Sequence, residues 1–265
     1  MKTGLKGKIV IVTGGASGIG KTTVEKLAEE GAIPVFIDRH QENGIELSKQ
    51  LSSRGINCRF INGDLTSDIF CKGAVQETIN NYDRLDILIN NAGKNDRCDI
   101  DNTSPEEFRN SLDRNLVHYY TMTHYSWPHL KKSRGNIIFV GSKVSLVGEG
   151  KTTAYAAAKG AVNGMTRELA AKSCNENLGI RVNCVLPGIV RTPLYDEYMI
   201  EAYGSFEKGN REFAKSIPLG QRPTTTEEIA NAILFLASDL SSHTTGQLFV
   251  PDGGYCHIDR AVSEK

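Results

Sequence analysis

Tyr155 and Lys159 stand four residues apart in the stretch SKVSLVGEGKTTAYAAAKGAV, and that spacing puts two side chains on one face of a helix. Ser142 closes the apolar run before them, 13 residues ahead of the tyrosine. A phenol, an ammonium and a hydroxyl converging on a crevice are suited to moving a proton. A free phenol has a pKa of ~10, too high for a base at neutral pH, and an adjacent ammonium favours the phenolate. In that scheme Tyr155 is the acid/base, Lys159 supplies the charge, and Ser142 steadies the substrate oxygen. Six histidines offer no competing chemistry: His118 and His124 lie six apart and off a common face, and no His-x-x-x-His carries a matching acid. No metal is expected.

A second stretch, GASGIGKT from Gly15 to Thr22, fits two phosphate-binding patterns. As G-x-x-x-x-G-K-[ST] it is a P-loop. Started one residue earlier, Gly14, Gly18 and Gly20 spell a glycine-rich dinucleotide turn. Both patterns need a strand, a tight turn and a helix N-terminus whose N–H groups face a phosphate. Asp38, 18 residues after Gly20, could hold magnesium for the first or a ribose for the second, so it does not decide. The Tyr155, Lys159 and Ser142 set decides, because phosphate hydrolysis has no use for it. Lys21 then becomes a solvent-facing residue of the first helical turn.

Something must position these groups. KIVIVT, AIPVFID, NCRFING, LDILIN, NIIFVG, IRVNCVL and QLFVP read as seven strands. Helical stretches lie between them, including 18–30, 41–53, a start at Ser104-Pro105 and a capping-box start at Thr225 to Glu228. Apolar strands alternating with helices imply a doubly wound parallel sheet covered on both faces, and no linker or repeat divides residues 1–265. One segment, 192–216, is long, polar and aromatic and follows strand six. Ligands bind outside the carboxyl ends of such strands, so it is expected to be a substrate lid.

In family order, TGGASGIG, Asp38, GDL at 63–65, NNAG at 90–93, Asn115, Ser142, Tyr155-x-x-x-Lys159 and PG at 187–188 resemble a short-chain dehydrogenase/reductase over nearly the whole chain. The resemblance implies a Rossmann-like fold, a nicotinamide cofactor and an oxidoreductase acting on CH–OH groups. It assigns Asn115 as the fourth catalytic residue, anchoring a water that links the lysine to solvent, and gives Lys159 a second role on the nicotinamide ribose. It assigns cofactor contacts to Gly14, Ser17, Gly18, Ile19 and Gly20, to Asp38 and Arg39, to Asp64 and Leu65, to the wall Asn91, Ala92 and Gly93, to Tyr155 and Lys159, and to Pro187, Gly188, Val190 and Thr192. The aromatics of HYY and HYSW read as packing; the resemblance, which also implies a homotetramer or homodimer, offers the same helix as an interface.

Asp38 argues for NAD by repelling a 2′-phosphate, although Arg39 could pair one; NADP is the lesser expectation. The substrate is open. Lys94, Asn95 and Asp96 after strand four, Lys143 and Glu149 after strand five, Tyr195 and Tyr198 in the lid, and His257 are polar for an acyl or steroid pocket. They suit a sugar or polyol. The blocks RNLVHYYTMTHY, WPHLKKSRG and SHTTGQLFVPDGGYCHIDRA resemble bacterial L-fucose dehydrogenases, which implies oxidation of an aldose at C1 to its lactone. Those enzymes can lack the strand-two acid. The alternatives are reduction of a 3-oxoacyl group, another polyol or ketone, and a non-enzymatic NAD-binding regulator. Thirty-one basic and thirty-one acidic side chains balance, arguing against nucleic acid and anionic membranes. Six scattered cysteines without C-x-x-C, and no signal peptide or apolar span, lead to the expectation of a cytoplasmic protein.

Overall fold

The run Ile9–Thr13 (β1) is buried at every position, as expected of a β-branched strand in the middle of a parallel sheet. The computed structural model, which describes residues 2–258, adds β2 (Ile33–Asp38), β3 (Arg59–Asn62), β4 (Ile87–Asn90), β5 (Asn136–Val140), β6 (Arg181–Val185) and β7 (Leu248–Phe249). All pair in parallel, in the order β3-β2-β1-β4-β5-β6-β7. Each predicted strand is present, trimmed at its ends. The last shrinks to two residues at the sheet edge, where Pro251 has no N–H to give a ladder. The terminal block quoted above continues into Asp259, Arg260 and Ala261, outside the described residues.

Between the strands run α1 (Gly18–Glu29), α2 (Gln41–Ser53), α3 (Asp68–Tyr82), α4 (Pro105–Leu112), α5 (His118–Ser133), α6 (Thr153–Asn175), α7 (Pro193–Tyr203), α8 (Phe206–Ala214) and α9 (Thr226–Ala237). Strand side chains alternate between the two faces. Ile9, Ile11, Ile37 and Phe139 pack with Val75 of α3, Tyr119 and Met122 of α5 and Val162 of α6. Val10, Val12, Phe36 and Val140 pack with Leu27 of α1, Leu47 of α2 and Ile233 of α9. The predicted starts hold: Ser104 with Glu107, and Thr225 with Glu228, form complete capping boxes.

Three local features set up the site. The chain leaves β1 toward β2 and β3, then returns to β4 on the other side of β1. A crevice therefore opens between the carboxyl ends of β1 and β4, the switch point of such sheets. A π-helical turn, Asp113–Val117, joins α4 to α5; such turns mark functional positions in helices. Finally, α7 and α8 have a small core of their own, built from Ile189, Tyr195, Met199 and Ile217. Among the described residues no helix is long and apolar enough to cross a membrane, and no three His, Cys, Asp or Glu side chains group as metal ligands.

Candidate active site

The ends of β1 and β4 are laced together. Thr13 Oγ1 accepts hydrogen bonds from the Asn91 and Ala92 amides at 2.9 and 3.1 Å. The Asn91 side chain donates back to the carbonyls of Thr13 and Gly14 at 3.0 and 3.1 Å. Space fixes the glycines of the intervening loop. Gly14 has φ +65°, and a Cβ on it would lie 2.9 Å from Ala92 Cα; a Cβ on Gly20 would overlap the Gly14 carbonyl. Ser17, the N-cap of α1, makes no side-chain cap, so the first amides of α1 remain for a ligand. Thr192, which caps α7 by accepting from the Tyr195 amide at 3.3 Å, turns its methyl toward Gly18, 3.5 Å from where a Cβ would sit. This cradle fits a dinucleotide pyrophosphate. Lys21 is half-exposed beside Glu25 at 4.0 Å, as the dinucleotide pattern predicts.

Asp38 ends β2 and is buried. Its two oxygens accept from the amides of Ala16 and His40, each at 3.0 Å, so the acid also braces the glycine loop. Arg39 is exposed. Asp64 accepts from the Thr66 amide at 2.9 Å in an Asx turn, and Leu65 packs on the core. Across the crevice, Lys143 donates its amide to the Pro187 carbonyl at 2.9 Å. Gly188 allows Asp252 to approach to 2.7 Å of a would-be Cβ, and Val190 forms a β-bridge with Thr224.

Ser142 lies two residues past β5 in extended conformation. Burial pushes the Tyr155 phenol up to about 12; the Ser142 hydroxyl opposes this, while the Glu149 and Asp96 carboxylates add to it. Lys159, one turn along α6, is itself buried, which lowers its ammonium to about 8. Its Nζ donates to the Val140 carbonyl at 2.9 Å and the Tyr119 hydroxyl at 3.0 Å, and stands 5.6 Å from the Tyr155 ring centroid. Without cofactor, burial holds the phenol above its ordinary value, and the hydrogen bonds of the ammonium go to Tyr119 and Val140. Asn115, buried in the π turn, accepts from the Lys94 amide at 2.9 Å and donates to the Ser111 carbonyl at 3.0 Å. A Cβ on Gly93 would lie 2.9 Å from Asn115 Oδ1 and 3.5 Å from Lys159 Nζ, so both groups converge on the end of the β4 loop.

The expected substrate residues divide. Lys143 is only 5% exposed; it is ion-paired with Glu149 and lies 4.7 Å from the Tyr255 ring centroid. Asn95 accepts from Thr152 at 2.7 Å. Asp96 turns to Ser111 and Arg114, at 2.9 and 2.8 Å, and so anchors the β4 loop. Tyr195 is buried, donating to Asn210 at 3.0 Å. Lys94 and His257 are exposed. Three contributors escaped sequence reasoning. Thr13 closes β1 and opens the quoted TGGASGIG stretch, but was given no role. Arg97 stacks 4.1 Å over the Tyr198 ring and lies 3.7 Å from Glu201 of α7. Tyr119 looked like packing, although its place four residues after Asn115 on a helical path was a usable signal.

A family model described as enoyl-(acyl carrier protein) reductase matches residues 14–256. The chain belongs to the short-chain dehydrogenase/reductase family. It is 37% identical over 264 residues to the L-fucose dehydrogenase of Mus musculus, covering 99% of this chain and 93% of that one. It is 36% identical over 251 residues to the 3-oxoacyl-[acyl-carrier-protein] reductase FabG of Thermotoga maritima, covering 94% and 98%. The crystal structure of Cj0485 dehydrogenase superposes with a TM-score of 0.92 at 42% identity, over 99% of both chains. This short-chain dehydrogenase is therefore an oxidoreductase acting on CH–OH groups, of a family that uses a nicotinamide cofactor. The non-enzymatic alternative drops away.

Proposed function

We propose that this dehydrogenase oxidises an aldose such as L-fucose at C1, using NAD and giving the lactone. The observation that carries the sugar assignment is the buried Lys143 ammonium with its Glu149 partner, one residue beyond Ser142. A charged pair is a costly wall for an acyl chain and a useful one for hydroxyls. Kinship with an L-fucose dehydrogenase supports it; similar kinship with FabG keeps 3-oxoacyl reduction as the second reading.

The glycine loop from Gly14 to Gly20, with Ser17, Gly18 and Ile19 at the start of α1, would hold the pyrophosphate. Asp38 would take the adenosine ribose, Asp64 and Leu65 the adenine, Asn91, Ala92 and Gly93 the cofactor's flank, and Pro187, Gly188, Val190 and Thr192 the carboxamide end. When bound, an oxidised nicotinamide supplies a hydride acceptor and a positive charge. The protein's own part is the proton. Ser142 holds the anomeric oxygen, Tyr155 removes its proton as C1 is oxidised, and Lys159 stabilises the phenolate and grips the nicotinamide ribose. Asn115 completes the group from the π turn. Residues 192–216, with Tyr198 stacked under Arg97, form the lid.

The test is a panel of aldoses, polyols and 3-oxoacyl thioesters, each with NAD and NADP, followed at the nicotinamide absorbance. L-Fucose turnover with NAD is expected; activity confined to the thioester removes the sugar reading and leaves the dehydrogenase.

Cofactor choice has its own prediction. The Asp38 charge repels a 2′-phosphate by on the order of 1–3 kcal/mol. Asp38→Ala is expected to move the NADP-to-NAD ratio of kcat/KM upward by about 10–100-fold. The ratio is the quantity to read, because the substitution also releases the Ala16 and His40 amides and weakens both cofactors together. A wild type that already prefers NADP refutes the reading of Asp38.

A further inference from the structure

Tyr119 is fully buried at the start of α5, and no role assigned above uses its hydroxyl. That hydroxyl donates to the carbonyl of Val140, the last residue of β5, at 3.0 Å. Lys159 donates to the same carbonyl at 2.9 Å and to the Tyr119 hydroxyl at 3.0 Å. The three atoms form a closed triangle. The Lys159 nitrogen also lies 4.5 Å from the Tyr119 ring centroid. The ring is clamped between Phe139, stacked at 5.8 Å, and His118, edge-on at 4.7 Å.

We propose that Tyr119 is a positioning residue for the Tyr155–Lys159 pair: with the Val140 carbonyl it fixes the Lys159 ammonium, keeps it charged out of water, and thereby sets the pH range in which the enzyme oxidises its substrate. This rests on the reading of Tyr155 and Lys159 as the acid/base pair. A buried ammonium needs acceptors, and the hydrogen bonds of this one go to uncharged oxygens. The titratable groups around it are also uncharged. His118 on α5 is held near 3, mainly by burial and then by Lys159 itself. Cys184 on β6 is pushed up to about 12 by burial, and Tyr119 well above 10 by the same cause. Tyr155, on Lys159's own helix, is neutral until it is called on. The Glu149 and Asp96 carboxylates act on Tyr155, and the hydrogen bonds of Lys159 take no carboxylate. No carboxylate thus substitutes for the Tyr119 oxygen.

Tyr119→Phe removes that oxygen and keeps the ring. Lys159 then loses an acceptor, so its ammonium becomes easier to deprotonate. Two readouts are expected to move together. In the enzyme without cofactor, the Lys159 side-chain carbon resonance, assigned by its absence in Lys159→Met, titrates about one pH unit lower. In the oxidation reaction the alkaline limb of kcat/KM moves down by a similar amount, with about a tenfold loss of rate at the wild-type optimum. Placing 3-fluorotyrosine at 119, a weaker acceptor of nearly the same shape, is expected to shift both in the same direction by less, and serves if the Phe variant does not fold. An unchanged Lys159 titration overturns the proposal, as does a drop in rate with no movement of the alkaline limb, since either reduces Tyr119 to packing. Near-normal turnover in Tyr155→Phe, by contrast, brings down the acid/base reading itself.

Discussion

Tyr155→Phe is expected to lower kcat/KM for sugar oxidation by about 10²–10⁴-fold, the range lost when a positioned acid/base is removed. The substitution removes one oxygen and leaves the ring in its place on α6. Ser142 keeps the hydrogen bond it accepts from the Val144 amide at 3.4 Å, so the turn after β5 survives. The pH dependence follows from the same group. Burial raises the Tyr155 phenol to about 12, above its ordinary ~10, so the acid is protonated at neutral pH and oxidation, which needs it deprotonated, must quicken as pH rises. The Lys159 ammonium, lowered to about 8 by burial, limits that rise because its charge disappears in the same direction. A rising limb that persists in Tyr155→Phe would place the proton on another group. Steady-state kinetics across pH, with cofactor binding measured separately, decide this.

The Lys143–Glu149 pair is expected to respond asymmetrically, which separates its structural from its functional role. Lys143 is almost fully buried, whereas the Glu149 side chain is 36% exposed. Lys143→Met leaves a carboxylate that water can reach. Glu149→Ala leaves a buried ammonium with little but the Tyr255 ring face 4.7 Å away. Breaking a pair from the exposed side strands the buried charge, so Glu149→Ala is expected to destabilise the fold more, by about 1–3 kcal/mol, read as a lower denaturation midpoint. Activity is expected to show the reverse emphasis. On the proposed sugar reading Lys143→Met removes a charged donor to the substrate hydroxyls and is expected to raise KM for L-fucose, with kcat/KM down about 10–100-fold. Turnover of L-fucose indifferent to Lys143→Met would make the pair a structural strut and return the substrate question to the thioester.

Seven strands and their parallel pairing were legible in the sequence; the strand order, and with it the crevice between β1 and β4, came from the fold. Short β-branched runs bounded by glycine cannot easily be anything else, and a right-handed crossover chain has few ways to arrange them. The glycine loop was legible for the same kind of reason: at Gly14 and Gly20 a single Cβ would collide with Ala92 and with the Gly14 carbonyl, so the constraint is written in residue type. Ser142, Tyr155 and Lys159 could be found because fixed helical spacing and a strand end place them. What tertiary structure decided is how each polar group spends its hydrogen bonds. Asp96 and Asn95 were equal candidates in one loop, yet Asp96 turns inward to Ser111 and Arg114 while Asn95 accepts from Thr152. The Lys159 ammonium was expected beside Tyr155; that its hydrogen bonds go to Tyr119 and Val140, brought from α5 and β5, came only from the fold. Backbone periodicity is a local property that residue types report directly. The charge state of a buried group depends on burial and on partners from other elements, 19 and 40 residues away here, and only the folded chain brings those together.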